Sequence, residues 1–430
     1  MSTASPTTTG GLKICVVSNY YPPHFIGGYE LGCRDVVEAL RGRGHQVRVL
    51  TSTYNVEKPH DDGVVHRRLK IGDWWTPNSL GGLAAVINKE MANLRAFRKI
   101  CSDFHPDLIY VWNPVGISLS LVSVSQRLGL PVCFFVSDYW LAEWETDSGY
   151  RVWDKQPVEL HRRLPWRAVL SLLSLLNLVH RPSSPDLSNV QFASECLKRQ
   201  ALSKGKPISD AKVIHWGVDP QKFRNRPPSK CLQRLLYVGT IAPHKGVHTA
   251  IEALKLLVSA GHRSATLTVA GGSIVPEYEA QIRQMVSSYQ LEEHVRFTGQ
   301  LPREQLPSIY QEHDVLLFPS IWDEPFSITV LEAMASGLAV VGTPTGGSNE
   351  ILAHDVNALV FPKEDANECA ACVLRLFTDE RLFKEICRNA RNTVEQKFRL
   401  EQMADTIEQS LKESVFETSA QGLKQIPTST

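Results

Sequence analysis

Two glutamates separated by seven residues, Glu324 and Glu332, lie in the stretch Pro319–Gly347, PSIWDEPFSITVLEAMASGLAVVGTPTGG. The apolar run Asp314–Phe318 gives way there to a Pro/Ser loop that carries Glu324-Pro325-Phe326-Ser327. A short helix-like segment follows, and then a second apolar run, Leu338–Gly342. A strand, an acidic loop, a helix opening and another strand form a ligand-binding layout of doubly wound α/β sheets, whose ligands sit beyond the strand ends.

The helix opening itself can bind an anion. Its first N–H groups lack intrahelical partners, and the aligned peptide dipoles make that end partly positive, which stabilises a phosphate. Ser327 is a favoured capping residue, and Pro325 suits a position just ahead of a helix. With the helix starting near Ser327, Glu332 lies roughly 7.5 Å along it, and its side chain tilts back toward the start. A carboxylate beside an anion site and another further along suit a diphosphate flanked by two hydroxyl-rich groups. Two plain surface acids fit the same spacing.

Three other segments offer chemistry. Lys245 ends the loop after the strand-like run at 234–238, ahead of a helix over Val247–Leu257, so its ammonium could meet a phosphate held at Ser327–Thr329. A surface lysine is the simpler alternative. Asp138 follows the strand-like Leu130–Val136, at the strand end where catalytic side chains are favoured, and could orient substrate hydroxyls or merely cap a turn. Gly27-Gly28 stands where backbone approaches a ligand or turns sharply. It is not the G-x-G-x-x-G dinucleotide fingerprint, which disfavours a nicotinamide enzyme.

The elements that position these residues must come from a chain of 430 residues, long enough for two domains. Hydrophobic residues make up 43% and charged ones 21%, so a sizeable core can form. A net charge of +1 argues against a bulk nucleic-acid footprint. The 9 cysteines are an odd number scattered mostly through apolar runs, and they read as buried hydrophobes in a reducing compartment. The close pair Cys369/Cys372 lies in a helical pattern with no second pair, which favours a structural helix face over a zinc or redox site. No signal peptide is indicated, and no apolar run approaches the ~20 residues that span a bilayer. The expectation is a cytoplasmic protein.

Taken in order, residues 1–11 read as a disordered leader and 12–219 as a first βα domain. Its strands are expected near 12–18, 44–50, 107–112, 130–136 and 191–193, with 53–82 irregular. Residues 157–181 form an amphiphilic insertion in which Arg162, Arg163 and Arg167 precede an apolar helix. It suits either an ordinary buried helix or peripheral contact with a membrane surface. A polar linker at 220–230, with Pro227-Pro228, marks the boundary. A second alternation over 231–395 places strands at 234–238, 265–270, 294–298, 314–318, 338–342 and 357–361. A helix at 396–415 returning to the first domain and a loose tail at 416–430 complete the plan. The fold class is α/β, with two Rossmann-like domains facing across a cleft.

Together these pieces resemble the retaining nucleotide-sugar glycosyltransferases of family 4, the group 1 glycosyltransferases, which adopt the GT-B fold. The similarity runs from about Lys13 to about Leu411. It rests on EPFSITVLEAMASG with Glu324 and Glu332, on the loop GTIAPHKG, on Pro-x-x-x-Gly-Gly at 23–28, and on Val213-Ile-His-Trp-Gly-Val-Asp219. The resemblance implies that Gly27 and Gly28 admit the donor phosphate and reacting sugar. It implies that Lys245, aided by the backbone of Phe326, Ser327, Ile328 and Thr329, neutralises the diphosphate. Glu324 would hold donor-sugar hydroxyls, Glu332 the ribose hydroxyls, and Asp138 would sit by sugar and acceptor. The implied reaction transfers a sugar to a hydroxyl acceptor (a glycan, a lipid-linked or a small molecule), needs no divalent metal or other cofactor, and retains the anomer. In the family's proposed mechanism the departing phosphate takes the acceptor's proton, unlike the two-carboxylate glycosidases.

Three positions depart from the family. Thr240 stands in the donor loop where relatives commonly place an arginine, and His244 could partly substitute. Ser137 replaces a histidine ahead of Asp138, and Ser327 replaces a frequent glycine. The first two open a second reading, a catalytically weak partner protein that binds a nucleotide sugar. A third is a nucleotide-sugar epimerase on the same plan.

Overall fold

The computed structural model describes residues 11–56, 61–72, 80–146, 160–208, 210–223 and 233–424. The leader up to residue 10, Trp74, Trp75 and the Pro227-Pro228 part of the linker lie outside the described residues. So do the side chains of Arg162, Arg163 and Arg167. The chain divides into two compact units, one of Met1–Ala193, Leu197–Ile214 and Ala404–Thr430, the other of Ser194–Cys196 and His215–Met403.

The first unit contains β1 (Lys13–Ser18), α1 (Tyr29–Gly42), β2 (Gln46–Ser52), β3 (Val65–Leu69), α2 (Leu80–Phe104) and β4 (Leu108–Asn113). It continues with α3 (Ser120–Arg127), β5 (Val132–Val136), α4 (Leu160–Leu175), β6 (Val190–Phe192), α5 (Glu195–Ser203, from Leu197 onward) and β7 (Lys212–Val213). Its 7-stranded sheet has the order β3-β2-β1-β4-β5-β6-β7, with all pairs parallel. The direction of strand addition reverses between β1 and β4. β4 and β5 are buried along their whole length, as expected of parallel strands covered on both faces.

The second unit contains β8 (Arg234–Val238), α6 (Val247–Ser259), β9 (Thr266–Ala270), α7 (Pro276–Ser288), β10 (Val295–Gly299) and α8 (Leu306–Gln311). After these come β11 (Val315–Phe318), α9 (Ile328–Ala335), β12 (Ala339–Gly342), β13 (Leu359–Val360), α10 (Ala366–Thr378) and α11 (Glu380–Lys397). Its 6-stranded parallel sheet runs β10-β9-β8-β11-β12-β13, reversing between β8 and β11. Leu235, Val269, Leu317 and Val341 from the sheet pack with Leu254 of α6 and Leu376 of α10 in one core. The last helix, α12 (Leu400–Lys424), joins the first unit from Ala404.

Three expectations change. Residues 53–82 are not wholly irregular, because β3 lies within them. Its buried face is Val65, Arg67 and Leu69, and a charged residue on that face hides the alternation. Arg67 is tolerated because its guanidinium donates to the carbonyls of Tyr21 and Pro22. The boundary lies at Ile214/His215 rather than at 219/220. Val218 exchanges hydrogen bonds with Phe398 (2.9 Å) and Leu400 (2.9 Å) of the second unit, and Gly217 lies where a Cβ would overlap the Arg399 carbonyl. The tail is not loose from residue 416, since α12 continues to Lys424.

Among the described residues eight cysteines form no disulfide, and six of them are buried. Cys369 and Cys372 lie on α10 in the core, where burial pushes both thiols up. This is the helix-face role and gives no sign of a reactive pair.

Arg67→Ala should destabilise the chain by about 1–3 kcal/mol, because two buried carbonyls lose their charged donor. Urea unfolding followed by circular dichroism measures this, and an unchanged midpoint would place β3 outside the cooperative fold.

Candidate active site

In the second unit, the loops after β8 and β11 meet at the reversal of strand order, the favoured ligand position in such sheets. Pro243–Lys245 forms one tight turn that ends at Gly246. Gly246 has φ 70°, and a Cβ there would come within 1.9 Å of the Pro319 carbonyl oxygen, so only glycine lets the two loops touch. The His244 carbonyl accepts from the N–H of Ile321 at 2.9 Å. The β8 loop therefore clamps the start of the β11 loop.

That contact brings Lys245 to Glu324. Its Nζ lies 2.8 Å from Oε1 and 2.9 Å from Oε2. Ser320 Oγ donates to Oε1 at 2.6 Å, and the Trp322 ring lies 5.4 Å from the ammonium. Glu324 is 6% exposed, so its charge is mostly removed from water. The backbone of this loop is gripped from the far side. Gly347 N–H donates to the Glu324 carbonyl at 2.7 Å, and Gly346 (φ 54°) passes where a Cβ would lie 2.3 Å from that oxygen.

Ser327 caps α9 with its side chain, accepting from Val330 N–H at 3.4 Å, as its residue type predicts. The N–H groups of Ile328 and Thr329 belong to the first turn, which has no intrahelical acceptors for them. Phe326 is fixed by stacking on His215, with centroids 5.4 Å apart, and by Phe398 at 5.8 Å. His215 Nε2 lies 2.8 Å from Glu350, which also accepts from the N–H of Glu195 and Cys196. Burial alone would raise the Glu350 carboxyl, but those hydrogen bonds hold it below the usual range. Glu332 is buried one turn into α9 and accepts from Tyr310 of α8 at 3.0 Å. Thr240 is in the same β8 loop, its carbonyl accepting from Tyr237 at 2.8 Å.

In the first unit, the other reversal of strand order gathers a polar edge. Asn113, the last residue of β4, donates to Asp138 Oδ2 at 2.6 Å, while Trp140 N–H donates to Oδ1 at 2.9 Å. Asn19, just after β1, accepts from Tyr29 at 2.6 Å. Burial pushes the Asp138 carboxyl up to about 6, although both hydrogen bonds favour its charged form. Among the described residues, the buried Ser137 Oγ and Trp140 Nε1 have no hydrogen-bond partner. Gly27 and Gly28 adopt no left-handed backbone, so a sharp turn does not require them. A Cβ on Gly27 would meet only Glu30 Oε2, at 3.7 Å. The room beside the chain is what glycine preserves there. Glu30 accepts from the N–H of Ile26 (2.9 Å) and Gly27 (3.1 Å) and so shapes the loop.

Two family models match the chain: glycosyl transferases group 1 over residues 220–393, and a glycosyl transferase 4-like domain over residues 27–215. The chain belongs to the group 1 glycosyltransferases. The uncharacterized glycosyltransferase MJ1607 of Methanocaldococcus jannaschii is 25% identical over 91% of this chain and 96% of its own. Other curated relatives match only in part, so that the chain spans about half their length (57%, 51% and 49%). Sucrose-phosphate synthase from Thermosynechococcus elongatus superposes with a TM-score of 0.70 at 21% identity, over 94% of this chain and 99% of that one. HepE of Anabaena in complex with UDP-glucose gives a TM-score of 0.65 at 20% identity, over 94% and 100%. These structures establish the GT-B fold.

Within this group 1 glycosyltransferase, Lys245 and Glu324 are in contact, Phe326–Thr329 form the opening of α9, and Glu332 lies one turn beyond. Ser320, Trp322 and Tyr310 in the second unit, and Asn19, Tyr29 and Asn113 in the first, join these clusters without being among the residues expected from sequence. Ser320 and Trp322 stood inside the stretch already singled out. Asn113 carried a weak signal, a polar residue closing an apolar strand. Tyr310 is 22 residues from Glu332 in sequence and had none.

Should substrate hydroxyls donate to Asp138, its charged form accepts them best, and activity should rise as pH climbs through about 6. Asp138→Asn should lower kcat/KM by roughly 10²-fold and flatten that limb. A pH–rate profile measures both, and an unchanged limb would remove Asp138 from the reaction.

Proposed function

We propose that this chain transfers a sugar from a nucleoside-diphosphate donor to a hydroxyl acceptor with retention of the anomeric configuration. The observation that carries this reading is the Lys245–Glu324 pair beside the capped opening of α9. As the glycosidic bond breaks, negative charge grows on the departing diphosphate. In this reading the N–H groups of Ile328 and Thr329 and the Lys245 ammonium, once it turns from Glu324, stabilise that charge electrostatically. Glu324 takes sugar hydroxyls. Glu332, one turn into the same helix and accepting from Tyr310, takes ribose hydroxyls. The departing phosphate accepts the acceptor's proton on the same face of the sugar, so no carboxylate nucleophile is needed. With lysine and helix end supplying the positive charge, the proposed reaction requires no divalent metal.

In the first unit, the room at Gly27 and the polar edge of Asn113, Ser137 and Asp138 suit hydroxyl-rich ligands. The alternative of a weakly catalytic binding protein is favoured by one feature. Thr240 supplies a neutral side chain to the loop where the diphosphate charge would fall. Measurement of nucleoside-diphosphate release separates the two.

We further propose peripheral contact with a membrane surface through residues 157–181, of which 157–159 lie outside the described residues. No helix among the described residues is long and apolar enough to cross a bilayer. In and just after α4, however, Val169, Leu172, Leu175 and Leu176 are exposed, while Leu170 packs inward with Ile87 and Val179. An apolar face of this kind suits a monotopic contact.

A donor-by-acceptor screen in chelator, starting with UDP-glucose and extending to GDP- and ADP-sugars, should yield a product with the donor's anomeric configuration by NMR. An inverted product would contradict the mechanism. For the membrane contact, Leu172→Asp with Leu175→Asp should abolish cosedimentation with vesicles of anionic phospholipid, and unchanged cosedimentation would rule it out.

A further inference from the structure

Lys245 and Glu324 spend most of their hydrogen-bonding capacity on each other, so a ligand that engages either one fully must compete with the pair. Both carboxylate oxygens face the ammonium, at 2.8 and 2.9 Å, and Ser320 adds a third hydrogen bond to the same carboxylate. The glutamate is nearly buried, and about a quarter of the lysine side chain is exposed. A phosphate that draws Lys245 away leaves Glu324 with a charge that is poorly hydrated and lies next to further negative charge. Removing one partner from a buried, hydrogen-bonded charge pair is costly for the charge left behind.

From this we infer that the pair couples recognition of the diphosphate to recognition of the sugar, so that the site holds intact donor and expels the nucleoside diphosphate left after transfer. The inference rests on the reading of this site as a nucleotide-sugar site. An intact donor compensates for the separation, since its sugar hydroxyls donate to Glu324 as the phosphate takes Lys245. A nucleoside diphosphate brings the phosphate without the hydroxyls. Once the sugar has left, Glu324 recaptures Lys245 and competes directly with the remaining phosphates.

The loop geometry supports an exchange of partners in place. The backbone around Glu324 is held by Gly347 N–H and by the close passage of Gly346, and the Lys245 turn is held by Gly246 against Pro319. Both main chains are fixed, so the change of partners is a matter of side-chain rotation. Trp322, on the same loop as Glu324, lies 5.4 Å from the ammonium in the paired state.

The test is calorimetric binding of UDP, GDP and ADP and of their sugar conjugates to the full chain, to Glu324→Gln and to Glu324→Ala. Thermal denaturation establishes that each variant is folded. With the carboxylate charge removed, the preferred nucleoside diphosphate should bind at least about tenfold tighter than to the unaltered chain, while the intact nucleotide sugar binds no better or more weakly. Steady-state product inhibition should strengthen in parallel. If both variants bind the nucleoside diphosphate equally or more weakly, the coupling is wrong, although donor binding by the unaltered chain would leave the site reading intact. If the unaltered chain binds none of the nucleotides or nucleotide sugars, the site reading fails and the coupling fails with it.

Discussion

The close passage of Gly246 along the Pro319 carbonyl is the constraint on which the site depends. It joins two loops that follow neighbouring parallel strands, and it can exist only where the residue has no Cβ and tolerates a positive φ. The contact sets Lys245 beside Glu324, which are 79 residues apart in sequence. The same β11 loop then runs into α9, so a cation, a carboxylate and a helix N-terminus converge without any long side chain having to search for its place. Gly346 and Gly347 do the equivalent work from the other side by letting the following loop press on the Glu324 main chain.

Preorganisation of this kind has an energetic consequence. Lys245, Glu324, Ser320 and Glu332 satisfy one another or nearby groups, as buried polar groups must. A ligand therefore gains only the difference between its own hydrogen bonds and those it displaces. A diphosphate sugar, which carries both anion and hydroxyls, matches both halves of the displaced pair, and neither half alone does. In the first unit the balance differs. Asp138 keeps its place through Asn113 and Trp140, yet burial holds its carboxyl near 6, close to the range where a proton can be gained or lost.

Much of this was legible in the sequence because parallel sheets write themselves as apolar runs. β4, β5, β11 and β12 are buried throughout, and all were visible as such. Ser327 announced the α9 cap through its residue type. What stayed hidden depends on pairing across long separations. β3 was concealed by Arg67 on its buried face, whose partners Tyr21 and Pro22 lie over 40 residues away. Tyr310 and Asn113 could not be linked to Glu332 and Asp138 by any local pattern. Gly27-Gly28 was legible as a loop that either approaches a ligand or turns sharply, and its ordinary backbone with open space beside Gly27 favours the approach.

The central claim is that nucleotide-sugar donor is held in the second unit by Lys245, the opening of α9 and Glu332. A crystal structure of the chain with a bound nucleotide sugar tests it directly. The account predicts the diphosphate within hydrogen-bond distance of Lys245 Nζ and of the N–H groups of Ile328 and Thr329, with ribose hydroxyls on Glu332. A nucleotide bound away from these groups, with Lys245 and Glu324 still paired, would contradict it.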